Sequence, residues 1–585
     1  MKHSLRIAKP RDLVVDSRHP SAVRLLGSGH WFVDFGTAAF GTLLLTLDAP
    51  RGGQATIHLG ERLAADGRID RQPHGCVRYR AVAVPLPVGR STQQVVIPPD
   101  ARNTGPAAIL MPAPLFEVLP FRYAEIVVGE GMPAVLGDVR RLAVFYPFDE
   151  SAAAFVSSDD RLNKVWDLCK YSIKATSFCG VYVDGDRERI PYEGDAYINQ
   201  LCHYGVDAEY EMARQTLEHL LFHPTWPTEW ILHCLPMAWA DYCYTGRTDL
   251  LAAYYDILQR KALLELARED GLISTADGRV TPDIHAGVFL DKPMRDLVDW
   301  PPGSFTQGGT GERDNYEMVP INTVVNAFHL WNLNLLVKVA ERLGKSADAE
   351  RFAGRYRQGL ASFHRVCFQG DRFCDGEGST HASVHASMFP AAIGLVPAGQ
   401  EASVMAFIRS RGMACSVYGA QYLLDACYRL GAADHALALM TAEHDRGWLN
   451  MINVGSTVTL EAWDHRYKNN LDWNHAWGAA PANIIPRFLV GVRPAAPGFD
   501  SVHLAPQPAS LAAFDAQVPT CKDPIRVTFD STTARHRWLR FEASMPVILD
   551  RAGVLPGVAD RDRYQEFAAG SHEVRIATSG RASEL

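Results

Sequence analysis

The chain has 585 residues, with 58 Lys and Arg against 66 Asp and Glu and a formal net charge of −8. Hydrophobic residues make up 47%, aromatic 10% and charged 21%, the profile of an ordinary folded protein of several domains rather than a disordered or fibrous chain. The mildly acidic balance excludes a general nucleic-acid binder, which needs a basic footprint to release counterions, and argues against docking on an anionic membrane surface. The longest apolar runs, around Phe40 and Leu43 to Leu45, fall far below the ~20 residues of a membrane-spanning helix. The 11 cysteines are scattered without a C-x-x-C pair, so neither a disulfide framework nor a zinc site is expected. The basic N-terminus lacks the apolar stretch of a secretory signal, and a cytoplasmic location is expected.

In chain order, the first part reads as β. His30 to Phe35, Gly41 to Leu47, Gln54 to Leu59, Tyr79 to Val88, Gln94 to Ile97 and Phe121 to Val128 are short runs of aromatic, β-branched and aliphatic residues. Turn signals such as Ala49-Pro50-Arg51-Gly52-Gly53 separate them, which predicts a sandwich over 1–152. The character then changes. Ser157-Ser158-Asp159 offers a helix cap, and Leu162, Val165, Trp166, Cys169 and Ile173 follow at helical spacing. Tyr210, Ala213, Leu217, Leu220 and Leu221 form another stripe. Ser346 is expected to cap a helix bearing Phe352, Tyr356, Leu360 and Phe363, and Val417 to Leu430 and Ala476 to Leu489 are further helices. A closed (α/α) barrel of helix pairs over 153–491 accommodates them, and no fixed-period repeat favours a solenoid. After Gly491 short strand patterns return, at Ser501 to Leu504, Ile525 to Phe529 and Trp538 to Phe541, predicting a C-terminal β-domain over 492–585.

Three segments of the helical part carry possible chemistry. In Asp184 to Asp195, seven of twelve residues are charged, and Pro191 with Gly185 and Gly194 makes it a loop. The bland alternative is a solvated loop of ion pairs; the functional one is a pocket whose carboxylates accept sugar hydroxyl hydrogen bonds while Arg187 holds their geometry. Crowded carboxylates resist ionising together, so one can remain protonated as an acid. In the second segment Glu229 lies between Trp226 and Trp230, where apolar walls would raise its pKa, although a helix-start Glu among core tryptophans explains it equally. In the third, Glu461 precedes Trp463, and Trp473, Asn474, His475 and Trp477 follow; a loop packed on the core is again the alternative. Six of the ten tryptophans between residues 155 and 490 (Trp226, Trp230, Trp300, Trp463, Trp473 and Trp477) sit in or beside loops, as expected of a pocket that stacks on sugar rings. Gly308 to Glu312 lacks the Lys-Ser/Thr ending of a phosphate loop, and His381 and His385 lack the Glu of a metalloprotease helix.

The run Asp184 to Asp195 resembles the acidic motif of the family 78 glycoside hydrolases, the α-L-rhamnosidases: Asp, Arg, Glu, then Gly-Asp seven residues after the Glu. Trp31 to Gly36 and Phe121 to Glu125 resemble that family's β-sandwich, Asp299-Trp300 its Asp-Trp signature, Thr459 to Trp463 and Asn474-His475 its Glu-x-Trp and Asn-His motifs, and Val518 to Thr520 with Ile525 to Val527 its C-terminal β-domain. The family's Cys-Pro is replaced here by Gly185-Asp186. The resemblance implies an (α/α)6 barrel catalytic domain between an N-terminal β-sandwich and a small C-terminal β-domain. It implies exo-acting hydrolysis of terminal α-L-rhamnosyl residues with inversion, Glu188 as general acid and Glu461 as general base. Asp184, Arg187 and Asp195 would contact rhamnose, and Trp300, Trp473 and His475 would line the same pocket. Trp226, Glu229 and Trp230 join it on their aromatic setting alone, with Glu229 as reserve candidate for the acid.

An inverting glycosidase places its two carboxyls ~6.5–9.5 Å apart, the acid protonated and the base ionised, and needs no metal or cofactor. On this reading Glu188 stays protonated through the repulsion of Asp184, Asp186 and Asp195. The expected partner is a small-molecule or oligosaccharide rhamnoside, and a homodimer would be unsurprising. Two other readings remain: another (α/α) barrel enzyme, such as a uronic-acid lyase or unsaturated glucuronyl hydrolase, and a sugar-binding homologue without catalysis.

Overall fold

In a computed structural model, residues 7–129, 132–276, 278–303, 311–533, 536–555 and 559–577 are described. Of the Gly-rich segment 308–312, residues 308–310 lie outside them. The strand His30–Ala49 organises the first unit. Trp31, Val33 and Phe35, then Leu43, Leu45 and Leu47, alternate into one buried core, the period of two that a pleated strand imposes. This long strand pairs antiparallel with Ala22–Gly27, Gly89–Gln94, Leu119–Val128 and Val135–Phe145 within an eight-stranded sheet. Its pairing register with Leu119–Val128 shifts between Asp34 and Ala39.

The helical part begins with Asp160–Ala175, capped by the Asp159 carboxylate on Arg161 N–H, and continues through Glu193–Val206, Glu211–Phe222 and Cys234–Thr245. The helices Thr323–Arg342 and Ser346–Cys367 pack against each other, as do Val384–Ile393 and Val417–Arg429. Two expectations are corrected. Ser346 is the first residue of its helix, after Lys345, and makes no cap bond. Residues 476–489 are not one α-helix: a short turn Ala476–Gly478 is followed, after an interruption at 479–480, by Pro481–Ile484, which runs on into the π-type stretch Ile485–Leu489, and Pro481 and Pro486 cannot donate to the ladder.

The last part holds two sheets. One joins Val492–Ala496, Ser501–Leu504, Val547–Asp550 and Tyr564–Phe567. The other includes Ala513–Val518, which pairs with Ala154–Ser157 from the other end of the helical part. The expected boundary at 152/153 thus falls beside a strand that belongs, by hydrogen bonding, to the C-terminal sheet. The helical part and the C-terminal sheets share one continuous apolar core, whereas the first sheet keeps its own. Among the described residues no helix is long and apolar enough to cross a membrane, and all 11 cysteines are free thiols.

Candidate active site

The acidic segment forms a tight loop before the helix Glu193–Val206. Asp184 N–H donates to Ile190 O at 3.0 Å, and Ile190 N–H donates to Asp184 Oδ1 at 2.9 Å, which closes the loop and leaves Arg187 and Glu188 between these ends. Gly185 has φ +92° and its Cα faces Asn474: a Cβ would come within 2.6 Å of the Asn474 carbonyl, so this position accepts only glycine.

Arg187 is the bridge between the two candidate catalytic carboxyls. Its Nη1 donates to Glu461 Oε2, 274 residues away in sequence, while its Nε lies 3.6 Å from Glu188 Oε1. The two glutamates differ sharply. Glu188 is 38% exposed and accepts a hydrogen bond from Tyr192 Oη at 2.8 Å on Oε2. Glu461 is 1% exposed, with Lys468 Nζ 3.0 Å from Oε1. Burial alone would raise Glu461, but Arg187, Lys468 and His475 outweigh it and hold the carboxyl at about 2. Asp184 moves the other way. Burial pushes it well above the usual carboxylate range, Arg187 opposes, and Glu188 adds to the rise. Asp184 is the buried member of the pair, and the neighbouring Glu188 charge disfavours ionising it further. Asp184 Oδ2, 3.7 Å from Arg187 Nη2, has no hydrogen-bond partner among the described residues.

His475 donates from Nε2 to Asp195 Oδ1 at 2.8 Å and has Asp472 Oδ1 3.4 Å from Nδ1. Burial disfavours its charge, but the two carboxylates prevail and raise it to about 10, so it is an imidazolium at neutral pH. Glu461, Asp472 and His475 bring ligand-type atoms within 4.8 Å of one another. Glu461 is neutralised by Arg187 and Lys468 and both nitrogens of His475 face carboxylates, so this donor set is occupied by internal ion pairs and fits a metal poorly.

These groups share a cavity of about 270 Å³ lined by Asp184, Arg187, Glu188, Asp195, Glu461 and His475, with Trp226, Trp230, Trp300 and Trp477 as aromatic walls. A larger cavity, about 690 Å³, lies between the helical part and the C-terminal sheets, but it lacks such a carboxylate cluster and holds only Glu401 and Asp550 among three arginines. Two expected pocket residues are elsewhere. Trp473 is buried outside the cavity lining, with the Arg62 guanidinium 5.8 Å from its ring centroid. Glu229 is fully buried behind the wall: its carboxyl accepts the N–H groups of Leu297 (3.1 Å) and Val298, and burial raises it to about 7 with Asp296 adding. Glu229 thus holds the backbone beside Leu297, which does line the cavity. Trp463 is core, donating to Cys415 O at 2.8 Å. His385 and His381 serve Asp299 and Asp375, at 2.7 and 2.6 Å. Sequence reasoning did not single out Tyr192, Lys468 and Asn470 as lining residues. The position of Tyr192, four residues after Glu188, was the available signal for one of them.

Residues 150–489 match a family model described as the bacterial α-L-rhamnosidase six-hairpin glycosidase domain. An α-L-rhamnosidase from Alteromonas sp. (strain LOR) is 24% identical over 258 residues, which are 41% of this chain and 27% of that protein. The solved α-L-rhamnosidase from Dictyoglumus thermophilum superposes with a TM-score of 0.76 at 16% identity, over 96% of this chain and 63% of that one. The Streptomyces avermitilis α-L-rhamnosidase complexed with L-rhamnose gives 0.74 at 16%, over 97% and 54%. The chain thus spans about a quarter of the curated relative and less than two thirds of either structure. A family model covering more than half of the chain, over the region that builds this pocket, places the protein in the bacterial α-L-rhamnosidase six-hairpin glycosidases of glycoside hydrolase family 78.

Proposed function

We propose that this chain is an exo-acting, inverting α-L-rhamnosidase built as an N-terminal β-sandwich over 1–152, an (α/α)6 barrel over 153–491 and a C-terminal β-domain over 492–585. The observation that carries this reading is the pairing of Glu188 and Glu461 across Arg187 in one aromatic-walled cavity. A cavity of about 270 Å³ suits a single sugar ring, which supports action on a terminal residue. Trp226, Trp230, Trp300 and Trp477 offer apolar surface to the ring, and Asp184 and Asp195 offer acceptors for its hydroxyls.

In the reaction the Glu188 carboxyl gives its proton to the glycosidic oxygen as the bond from C1 to that oxygen breaks. A water attacks C1 from the opposite face and passes a proton to Glu461, which its cationic neighbours keep ionised. Water and glycoside become β-L-rhamnose and the free alcohol, and solvent exchange returns the proton from Glu461 to Glu188. Asp184, raised by burial, is suited to donate to a sugar hydroxyl as well as to accept from one. The cationic Arg187, Lys468 and His475 limit the negative charge of the cluster before the oxocarbenium-like transition state forms.

The test is release of rhamnose from an aryl α-L-rhamnoside. Binding of rhamnose without any turnover would favour the non-catalytic homologue, and an ultraviolet-absorbing product from a uronate polymer would favour a lyase.

A further inference from the structure

The N-terminal β unit reaches into the site through the segment that follows its strand Gly53–Gly60. Cys76 N–H donates to Leu471 O at 2.9 Å, and Gly75, at φ +64°, allows an approach that a Cβ would block at 2.7 Å from the same oxygen. Two buried side chains of this unit then engage both catalytic loops. Arg78 Nε lies 2.5 Å from Asp186 Oδ2, and its Nη2 donates to Asp186 O at 2.7 Å. Glu61 accepts Arg78 N–H on Oε2 at 2.7 Å and Asn474 Nδ2 on Oε1 at 3.0 Å. Asn474 closes the ring, because its Oδ1 accepts Asp186 N–H at 2.7 Å. Asp186 lies two residues before Glu188, and Asn474 sits on the segment that carries Glu461, Asp472 and His475.

We propose that Arg78 and Glu61 are positioning residues for the reaction: they clamp the loop carrying Glu188 to the segment carrying Glu461 and so set the spacing of acid and base. This rests on the proposed roles of the two glutamates. Neither residue lines the cavity, so neither touches substrate. The clamp also explains Gly185-Asp186: glycine lets the loop lie against Asn474, and Asp186 is the carboxylate that Arg78 grips. A displacement of about 1 Å in a catalytic group costs on the order of 10²-fold in rate, so a residue that holds a catalytic loop is felt in kcat.

The experiment compares aryl α-L-rhamnosides of acidic and weakly acidic leaving phenols in the wild type and in Glu188→Gln, Arg78→Met, Arg78→Lys and Glu61→Gln. Arg78→Met leaves Asp186 paired with Arg189 (2.7 Å) and Asp100 with Arg102 (2.9 Å), so no buried carboxylate is stranded. Burial raises Glu61 to about 8, so Glu61→Gln keeps its neutral state and removes one acceptor. Misplacing the acid penalises the poor leaving group most. Arg78→Met is expected to lose roughly 10–100-fold in kcat on that substrate, a few-fold on the acidic one, and to bind rhamnose as the wild type does. Arg78→Lys should recover part of the loss, and Glu61→Gln should show the same pattern at smaller size. Equal losses across leaving groups, or none, in the folded variants would overturn the proposal; if Arg78→Met fails to fold, Arg78→Lys and Glu61→Gln give the same readout. Absence of leaving-group dependence in Glu188→Gln, or of any wild-type turnover, would instead overturn the assignment of the acid or the activity.

Discussion

Glu188 and Glu461 contact the same guanidinium, yet one loop leaves its carboxyl 38% exposed and the other buries its carboxyl at 1%. The exposed one has a tyrosine hydroxyl on one oxygen; the buried one has two cations and a nearby imidazolium. Sequence gives both as a glutamate near charge and aromatic rings. Folding divides them into a solvent-accessible carboxyl and a buried one that its cationic neighbours keep ionised. An acid–base pair needs that division, and it is set by depth and by which side of Arg187 each occupies.

Breaking the buried side should cost most. Glu461→Gln is expected to lower kcat by about 10³-fold or more on every aryl rhamnoside, because the loss of the base does not depend on the leaving group. Steady-state kinetics with circular dichroism checks this. Glu188→Gln should lose ~10²–10⁴-fold on a weakly acidic leaving group and much less on an acidic one, a contrast that a plot of rate against leaving-group pKa would show. Arg187→Met removes the bridge. With its strongest cationic neighbour gone, Glu461 should rise from about 2, so the acidic limb of the pH–rate profile moves to higher pH along with a drop in rate. An unmoved acidic limb would separate Arg187 from the base. Glu229→Gln should have the smallest effect on rate, within a few-fold, while costing about 1–3 kcal/mol of stability through its lost amide acceptors. A denaturant titration measures that cost, and a loss of activity as deep as that of Glu188→Gln would return Glu229 to candidacy as the acid.

The contrast between Glu188 and Glu229 also marks what sequence makes legible. The order of β, α and β parts follows from hydrophobic period, which is a local property, and so does the helix Asp160–Ala175, whereas the two runs His30 to Phe35 and Gly41 to Leu47 fold as one strand, His30–Ala49. The acidic loop stands out for its seven charges within twelve residues, although charge density alone fits a solvated loop of ion pairs as well, and it is the family motif that singles it out. Burial is not local. Glu229 between tryptophans and Glu461 beside Trp463 look alike in sequence, yet only Glu461 reaches the cavity, since Leu297 and Val298 from a distant loop cover Glu229. Trp473 is likewise buried away from the cavity, with Arg62 from the N-terminal β unit beside its ring. Lys468 acts on Glu461 across 7 residues of chain, Arg78 on Asp186 across 108 and Glu61 on Asn474 across 413, and nothing in their immediate neighbours announces the contact. Residues 476–489 depart from the expected single helix although their apolar stripe is continuous, because Pro481 starts one helical piece and Pro486 lies at the start of the next.

The anomer formed first tests the separate roles of Glu188 and Glu461 most directly. With an aryl α-L-rhamnoside and freshly added enzyme, proton NMR should show β-L-rhamnose before mutarotation brings in the α form. Initial appearance of α-L-rhamnose would contradict the separate acid and base roles of Glu188 and Glu461, and no rhamnose at all would contradict the proposed activity itself.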